Sequence, residues 1–170
     1  RPDGLIAYQQ ALDFVVACQE MTGIRELPAH AARHTGLDRL GTWGRILRHS
    51  ATLGDLLRKT VETSALHTNG VRWWVEDLGP EIRFCHQFDR RLDLGDGGAV
   101  FTLLGHLMGA IRSVLGEDFQ PAEITVAVPL PLPGDCIGLH ARVRPTGITS
   151  VVLPRRLLGA PTKNITRLLA

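Results

Sequence analysis

Apolar positions at the start of the chain recur with helical spacing. From Leu5 to Thr22, leucine, tyrosine and valine side chains return every three or four residues, and Gly23 follows as a predicted stop. A shorter helix is predicted from Pro28 to Arg33. The next apolar segment, Leu40 to Leu47, is interrupted by glycines, and its pattern supports no assignment.

A stronger helix signal begins at Thr52. Its hydroxyl is placed to accept a hydrogen bond from the amide of Asp55, while the Asp55 carboxylate reaches back, as in a capping box. Leucine, threonine and valine side chains then form one face as far as Ala65. Asn69 and Gly70 are predicted to end this helix, because both residues tolerate positive φ.

After residue 70 the apolar period changes from helical to two. Trp73 lies on one face of the first predicted strand and Trp74 on the other. In the second run, Phe84 and His86 share a face with the neighbouring apolar residues. Two alternating runs joined by a short turn predict an antiparallel hairpin over residues 71–88.

The second half of the chain contains the clearest predicted helix and two more strands. Residues 99–115 carry a continuous apolar stripe on one helical face. Strands are predicted near 124–128 and 150–153. The segments 93–98 and 129–134 are rich in glycine or proline and are predicted to be irregular.

This order of elements predicts an α+β fold class. Helices cover a mostly antiparallel sheet, formed by the hairpin 71–88 plus strands near 124–128 and 150–153. The 170 residues fit a single domain, 1–170, and Thr162 is predicted to cap a further helix. Because the chain begins at Arg1 rather than methionine, we expect it to be part of a longer protein.

Charge and hydropathy narrow the classes of partner. The 19 basic and 17 acidic residues are scattered along the sequence, so this chain by itself is not expected to bind DNA. No segment resembles a signal peptide or a continuous apolar membrane span, which predicts a cytoplasmic protein without a membrane partner. The three cysteines form no CxxC pair, so neither a disulfide framework nor a zinc site is predicted.

Motifs of nucleophilic, metalloenzyme and nucleotide chemistry are absent from the sequence. There is no GxSxG, HExxH or GxGxxG, and the glycine-rich run at 95–98 lacks the following Lys-Ser/Thr of a phosphate cradle. No catalytic residue, metal or cofactor is predicted. The seven histidines leave an unrecognised catalytic pair as an alternative.

Four segments, in the same order, resemble a known family. Residues 40–57, LGTWGRILRHSATLGDLL, resemble the pattern LGxxGxxLxxxxTLxxAL of the arabinose-binding-type N-terminal domain of AraC/XylS-family bacterial transcription regulators, with Leu56 in place of alanine. The hairpin 71–88 is similar to the paired strands of that family. Residues 116–124 resemble GxxWxPxxV with Phe119 at the tryptophan position, and residues 151–158 resemble the terminal xVxxPxxxL stretch.

The resemblance implies an effector-sensing domain. Such a domain binds a small-molecule effector, self-associates as a homodimer and contacts DNA only through a C-terminal helix-turn-helix domain, which is not in this chain. The term arabinose names a domain type, so the effector stays unidentified. Residues 129–149 match the family poorly.

Five residues are the candidates for lining an effector cavity: Trp43, Trp73, Phe84, His86 and His106. Each also has a structural interpretation, as a core aromatic, a core histidine satisfied by backbone, or a polar position on a helix face. His106 belongs to a small and polar stripe with Thr102, Gly109 and Ser113, which either lines a cavity under the sheet or packs closely.

Two other functions remain open. A small enzyme or carrier with a buried histidine would require His86 and His106 to share one pocket with a third polar group. A dimerisation module without a ligand would require a collapsed interior.

Overall fold

Five helices and five strands make up the part of the chain that the structure describes, residues 8–24, 27–34, 36–92, 97–129 and 139–162 of a computed structural model. The helices are α1 Tyr8–Thr22, α2 Leu27–Arg33, α3 Gly41–Arg48, α4 Leu53–Thr63 and α5 Gly97–Leu115. The strands are β1 Val71–Asp77, β2 Glu81–Phe88, β3 Glu123–Val126, β4 Arg142–Pro145 and β5 Thr149–Pro154. Short 3-10 turns occupy Leu37–Leu40, Ser64–Leu66 and Arg155–Gly159.

The strands form one sheet in the order β1-β2-β5-β3-β4. All neighbouring strands are antiparallel except β3 and β4, which are parallel. The predicted hairpin is confirmed, with Trp73 opposite His86 and Val75 opposite Phe84. Together with the helices this confirms the α+β class. Strand β4 was missed, because its sequence RVRP is short, polar and mostly exposed and shows no apolar alternation.

The start of α4 matches the predicted cap. The Thr52 hydroxyl accepts from the Asp55 amide at 3.1 Å, and the Asp55 carboxylate accepts from the Ala51 amide at 3.0 Å. This second hydrogen bond, followed by that from Lys59, lowers the pKa of Asp55 to about 2. The prediction for the other end was wrong: α4 stops at Thr63, and a 3-10 turn leaves Ala65 exposed.

Helix α5 is the central helix of the core. Val100, Leu104 and Ile111 have no accessible surface, and the helix ends at Gly116, whose φ is +103°. It begins at Gly97, two residues before the predicted start. Contrary to the expectation that no segment approaches a membrane span, α5 is long and apolar enough for one. Eleven residues of this helix are buried within the fold.

Several boundaries differ from the prediction. The unassigned segment 40–47 forms the end of a 3-10 turn and most of α3, and strand β3 ends at Val126 rather than residue 128. The predicted loops at 93–96 and 130–134, and the helix predicted after Thr162, lie outside the described residues.

Candidate ligand-binding site

A cavity of about 330 Å³ lies between the β1–β2 hairpin and helices α1, α3, α4 and α5. Its volume falls at the lower end of the range typical of small-molecule sites, roughly 300–1,000 Å³. Polar lining residues are few, and the rest of the wall is aliphatic or aromatic. The apolar lining, apart from the residues discussed below, consists of Ala11, Val15, Leu37, Leu40, Leu47, Leu56, Leu57, Val71, Phe88, Ala99, Leu103, Leu107 and Ala110.

All five residues predicted from the sequence line this cavity. Trp43 comes from α3, Trp73 from β1, Phe84 and His86 from β2, and His106 from α5. The structure therefore brings together side chains that are up to 63 positions apart in the sequence, from Trp43 to His106. Their role in ligand binding stays a prediction.

The sheet side of the cavity is a row of aromatic rings. The Trp73 ring stacks on Phe84, with centroids 5.2 Å apart, and meets His86 edge to face at 4.5 Å. His86 in turn meets Phe88 edge to face at 4.6 Å. Trp74, one position along, lies outside this row, and its indole Nε1 donates to Glu76 at 3.0 Å. The prediction that Trp73 and Trp74 lie on opposite faces of the strand is thus confirmed.

The opposite side of the cavity is held by Trp43 and His67. Their rings stack at 4.6 Å with an interplanar angle of 10°, and the Trp43 Nε1 donates to the Thr63 hydroxyl at 2.9 Å. His67 lies at the rim, with its outer side open to solvent, and its partial burial lowers its pKa. Trp43 is therefore fixed by one contact from the last residue of α4 and one from the irregular stretch that follows it.

Helix α5 contributes Thr102 and His106, as one interpretation of its small and polar stripe predicted. Gly109 and Ser113 of the same stripe are not among the lining residues. The Thr102 hydroxyl donates to the carbonyl of Gly98 at 3.0 Å. Burial, and secondarily the charge of a protonated His67, lowers the pKa of His106 to about 4.

Two cavity-lining residues of the hairpin each carry a buried polar atom that has no hydrogen-bond partner in the described part of the chain. These atoms are Nε1 of Trp73 and Nδ1 of His86. Burial lowers the pKa of His86 to about 3, while an interaction with the backbone of His86 itself acts in the opposite direction. At neutral pH the imidazole is therefore uncharged and presents one donor and one acceptor nitrogen.

No charged side chain lines the cavity among the residues that the structure describes. Within those same ranges no three His, Cys, Asp or Glu side chains cluster as a metal site would require. Cys85 is buried away from the cavity, where burial and then the Glu76 charge raise the pKa of its thiol to about 12. The chemistry available here is apolar contact and neutral hydrogen bonding.

The prediction missed several lining residues, including Thr60, His67 and Thr68. Thr60 lay on the predicted apolar face of α4, and its burial was expected, but its hydroxyl donates to the carbonyl of Leu56 at 2.9 Å. No periodic signal marks His67 and Thr68, because they follow the end of α4 in an irregular stretch. Only the return of the chain into β1 places them at the cavity.

A second cavity, of about 460 Å³, lies near the end of β2. It is larger but contains opposite charges, with Asp89 beside Arg91, and it includes none of the five predicted residues. The smaller apolar cavity is therefore the better candidate for a ligand site.

The fold is that of an α+β domain of transcription regulators. Residues 1–136 match the family model of the arabinose-binding N-terminal domain of AraC transcription regulators, and the chain belongs to this family. This confirms the resemblance seen in the sequence motifs.

A solved structure is similar over nearly the whole chain. The transcriptional regulator CdpR from Pseudomonas aeruginosa superposes with a TM-score of 0.66 at 15% identity, covering 94% of this chain and 59% of CdpR. At that identity the likeness shows the fold alone. The chain thus corresponds to a little over half the length of that regulator. No curated protein sequence is significantly similar to this chain.

Proposed function

We propose that this domain binds a small-molecule effector in the cavity under the β1–β2 hairpin and transmits binding to a DNA-binding domain of the same regulator. Membership of a family of transcription regulators supports the regulatory part. A cytoplasmic location and homodimeric assembly belong to the same proposal. DNA contact is assigned to a helix-turn-helix domain outside this chain.

One observation carries the proposal of a ligand. Protein interiors are packed at the density of organic crystals, and buried polar atoms are nearly always hydrogen-bonded. Here a cavity of about 330 Å³ is lined by Trp73 and His86, whose buried Nε1 and Nδ1 atoms have no partner in the described chain. A bound molecule would fill the space, and a small rotation of either side chain would bring its unpartnered nitrogen to that molecule.

Helix α4 is the element that could carry the signal. Its Leu56, Leu57 and Thr60 line the cavity, while its first turn holds the segment 160–162. The Leu53 amide donates to the carbonyl of Ala160 at 2.9 Å. A ligand that shifts α4 would alter these contacts, and through them the chain that leads out of the sheet.

The alternative of an enzyme or carrier with a buried histidine is less well supported. His86 and His106 do share one cavity with further polar groups, which meets its stated condition. However, the low pKa values keep both imidazoles neutral at pH 7, where a general base needs a pKa near the working pH. A module without a ligand is disfavoured by the open interior.

The test is a thermal-shift screen of amino acids, sugars, fatty acids, and neutral and acidic aromatic compounds. A ligand of the folded state must raise the melting temperature. Ala110→Leu fills part of the cavity and should abolish the shift, whereas Ala65→Leu, the same change at an exposed position, should retain it. If no compound stabilises the wild type, or if Ala110→Leu responds like Ala65→Leu, the effector proposal is wrong.

A further inference from the structure

We infer that the effector is an uncharged, mainly apolar molecule with a hydrogen-bond acceptor that Trp73 and His86 bind, and that it is neither a sugar nor a carboxylate. This inference rests on the proposed function, because it concerns the ligand of the same cavity. Three properties of the lining lead to it.

The first property is the absence of charge. An ionised group buried without a partner loses several kcal/mol of hydration, so carboxylate sites supply arginine, lysine or several aligned donors. The described lining contains none of the four charged residue types, and burial lowers the pKa of each of its three imidazoles, His67, His86 and His106. A buried carboxylate would have no counter-charge here.

The second property is the small number of polar groups. A sugar bears a hydroxyl on almost every carbon, and each one must exchange water for a protein partner. In this lining the hydroxyls of Thr60 and Thr102 already donate to carbonyls of their own helices, and the Trp43 indole donates to Thr63. The wall is therefore a poor match to a polyol, whatever the family name.

The third property is the pair of atoms that lack partners. Indole Nε1 can only donate, so Trp73 requires an acceptor. His86 is directly opposite Trp73 across the hairpin, and its neutral Nδ1 can donate or accept according to the tautomer. After a small rotation that exposes the nitrogens, which have less than 1 Å² of accessible surface in this structure, a carbonyl or ether oxygen on an otherwise apolar molecule would satisfy the indole beside the imidazole. Such a ligand suits both atoms and the apolar wall.

The first measurement uses prodan, an uncharged naphthalene ketone whose emission shifts to the blue in apolar surroundings. We expect one prodan to bind per domain, and 2-nonanone, also a neutral ketone, to displace it and to raise the melting temperature. Nonanoate, which has the same chain length but a negative charge, and L-arabinose should do neither.

The second measurement compares two adjacent tryptophans. Trp73→Phe removes the donor but keeps an aromatic ring in the cavity, and should weaken prodan binding about threefold to tenfold, as expected for one hydrogen bond. Trp74→Phe, on the outer face of β1, is the matched control and should leave the affinity unchanged. The melting temperature without probe verifies that each variant folds, and His86→Phe provides a second test of the donor pair.

Each outcome decides a different claim. If nonanoate or L-arabinose stabilises the domain as much as 2-nonanone does, the ligand class is wrong while the sensor function stands. If Trp73→Phe and His86→Phe both bind prodan as tightly as Trp74→Phe, the role of the two buried atoms is wrong. If neither these probes nor the compounds of the wider screen bind, the sensor function itself is overturned.

Discussion

The α-carbon of Gly44 lies against the backbone carbonyl of Leu37. A β-carbon at residue 44 would come within 1.8 Å of the Leu37 oxygen and 2.9 Å of its carbonyl carbon. The 3-10 turn that begins at Leu37 is thereby packed directly onto α3, next to Trp43. The glycine that interrupted the apolar pattern of this segment is therefore required by a close approach of two backbones.

Gly44→Ala should destabilise the domain by about 1–3 kcal/mol or more, since the atoms it displaces are backbone rather than a flexible side chain. The melting temperature and denaturant midpoint measure this. Gly36→Ala is the control, because the β-carbon would meet nothing within 4 Å and φ is −137°. Equal stability of the two variants would show that Leu37 does not pack as described.

The stability of the domain should fall as the pH falls below the ordinary histidine pKa. The unfolded chain binds a proton at His86 near pH 6.5, while the folded pKa is about 3, so acid favours unfolding throughout this window. Between about pH 7.5 and about pH 5 the loss attributable to His86 is about 2 kcal/mol. The free energy of unfolding, measured in urea across this range, tests the size and the sign.

The corresponding variant is His86→Phe, which should lose less stability than the wild type over the same range. The pKa of His106 is lowered as well, so this residue retains part of the pH dependence of stability in the variant. The Asp55 carboxylate, with a pKa of about 2, stays ionised above about pH 5 and does not contribute. An unchanged pH profile in His86→Phe would mean that the pKa of this imidazole is the same in the folded and unfolded states.

Removal of the cap of α4 should have a moderate effect. Thr52→Ala loses the acceptor of the Asp55 amide, and such substitutions cost about 1 kcal/mol. Thr42→Ala, at an exposed position whose hydroxyl accepts only from the Arg45 side chain, should change the unfolding free energy by much less. If both variants match the wild type, the side chain of Thr52 does not cap α4.

The segment 160–162 should loosen when its buried hydroxyl is removed. Thr162 donates to the carbonyl of Ser50 at 2.5 Å, and both residues are buried. Thr162→Val keeps the shape but leaves that carbonyl without this donor, at a cost of about 1–3 kcal/mol. Hydrogen exchange at the amides of Leu53 and residue 162 should accelerate about tenfold or more.

The matched control for the segment 160–162 is Thr146→Val, because the Thr146 hydroxyl is exposed and donates to Ile148 at 3.2 Å. In Thr146→Val, the amide of Leu53 should exchange at the wild-type rate. If Thr162→Val also leaves these rates unchanged, α4 does not hold the outgoing segment, and the proposed route of transmission fails.

Features that depend on short-range interactions could be predicted from the sequence, and features that depend on long-range packing could not. The Thr52 cap and the hairpin 71–88 involve neighbours along the chain or along two paired strands, and both were predicted, whereas the pairing of Trp73 with His86 was not. The end of α4 was misplaced because a 3-10 turn and a helix leave similar patterns in three residues. Strand β4 was missed because it lies at the edge of the sheet and its sequence is polar. Backbone pairing with β3 alone makes it a strand, and that pairing leaves no apolar pattern in the sequence.

The sequence by itself determined the family, the α+β class, the capped helix and which side of each hairpin strand is apolar, because these follow from local geometry and from motifs in a fixed order. Only the tertiary structure decided that Trp43, Trp73, Phe84, His86 and His106 surround one cavity, and that His67 joins them. The reason is physical. A cavity is the space that distant elements leave when they pack, and no local period along the chain encodes its size or its lack of charge.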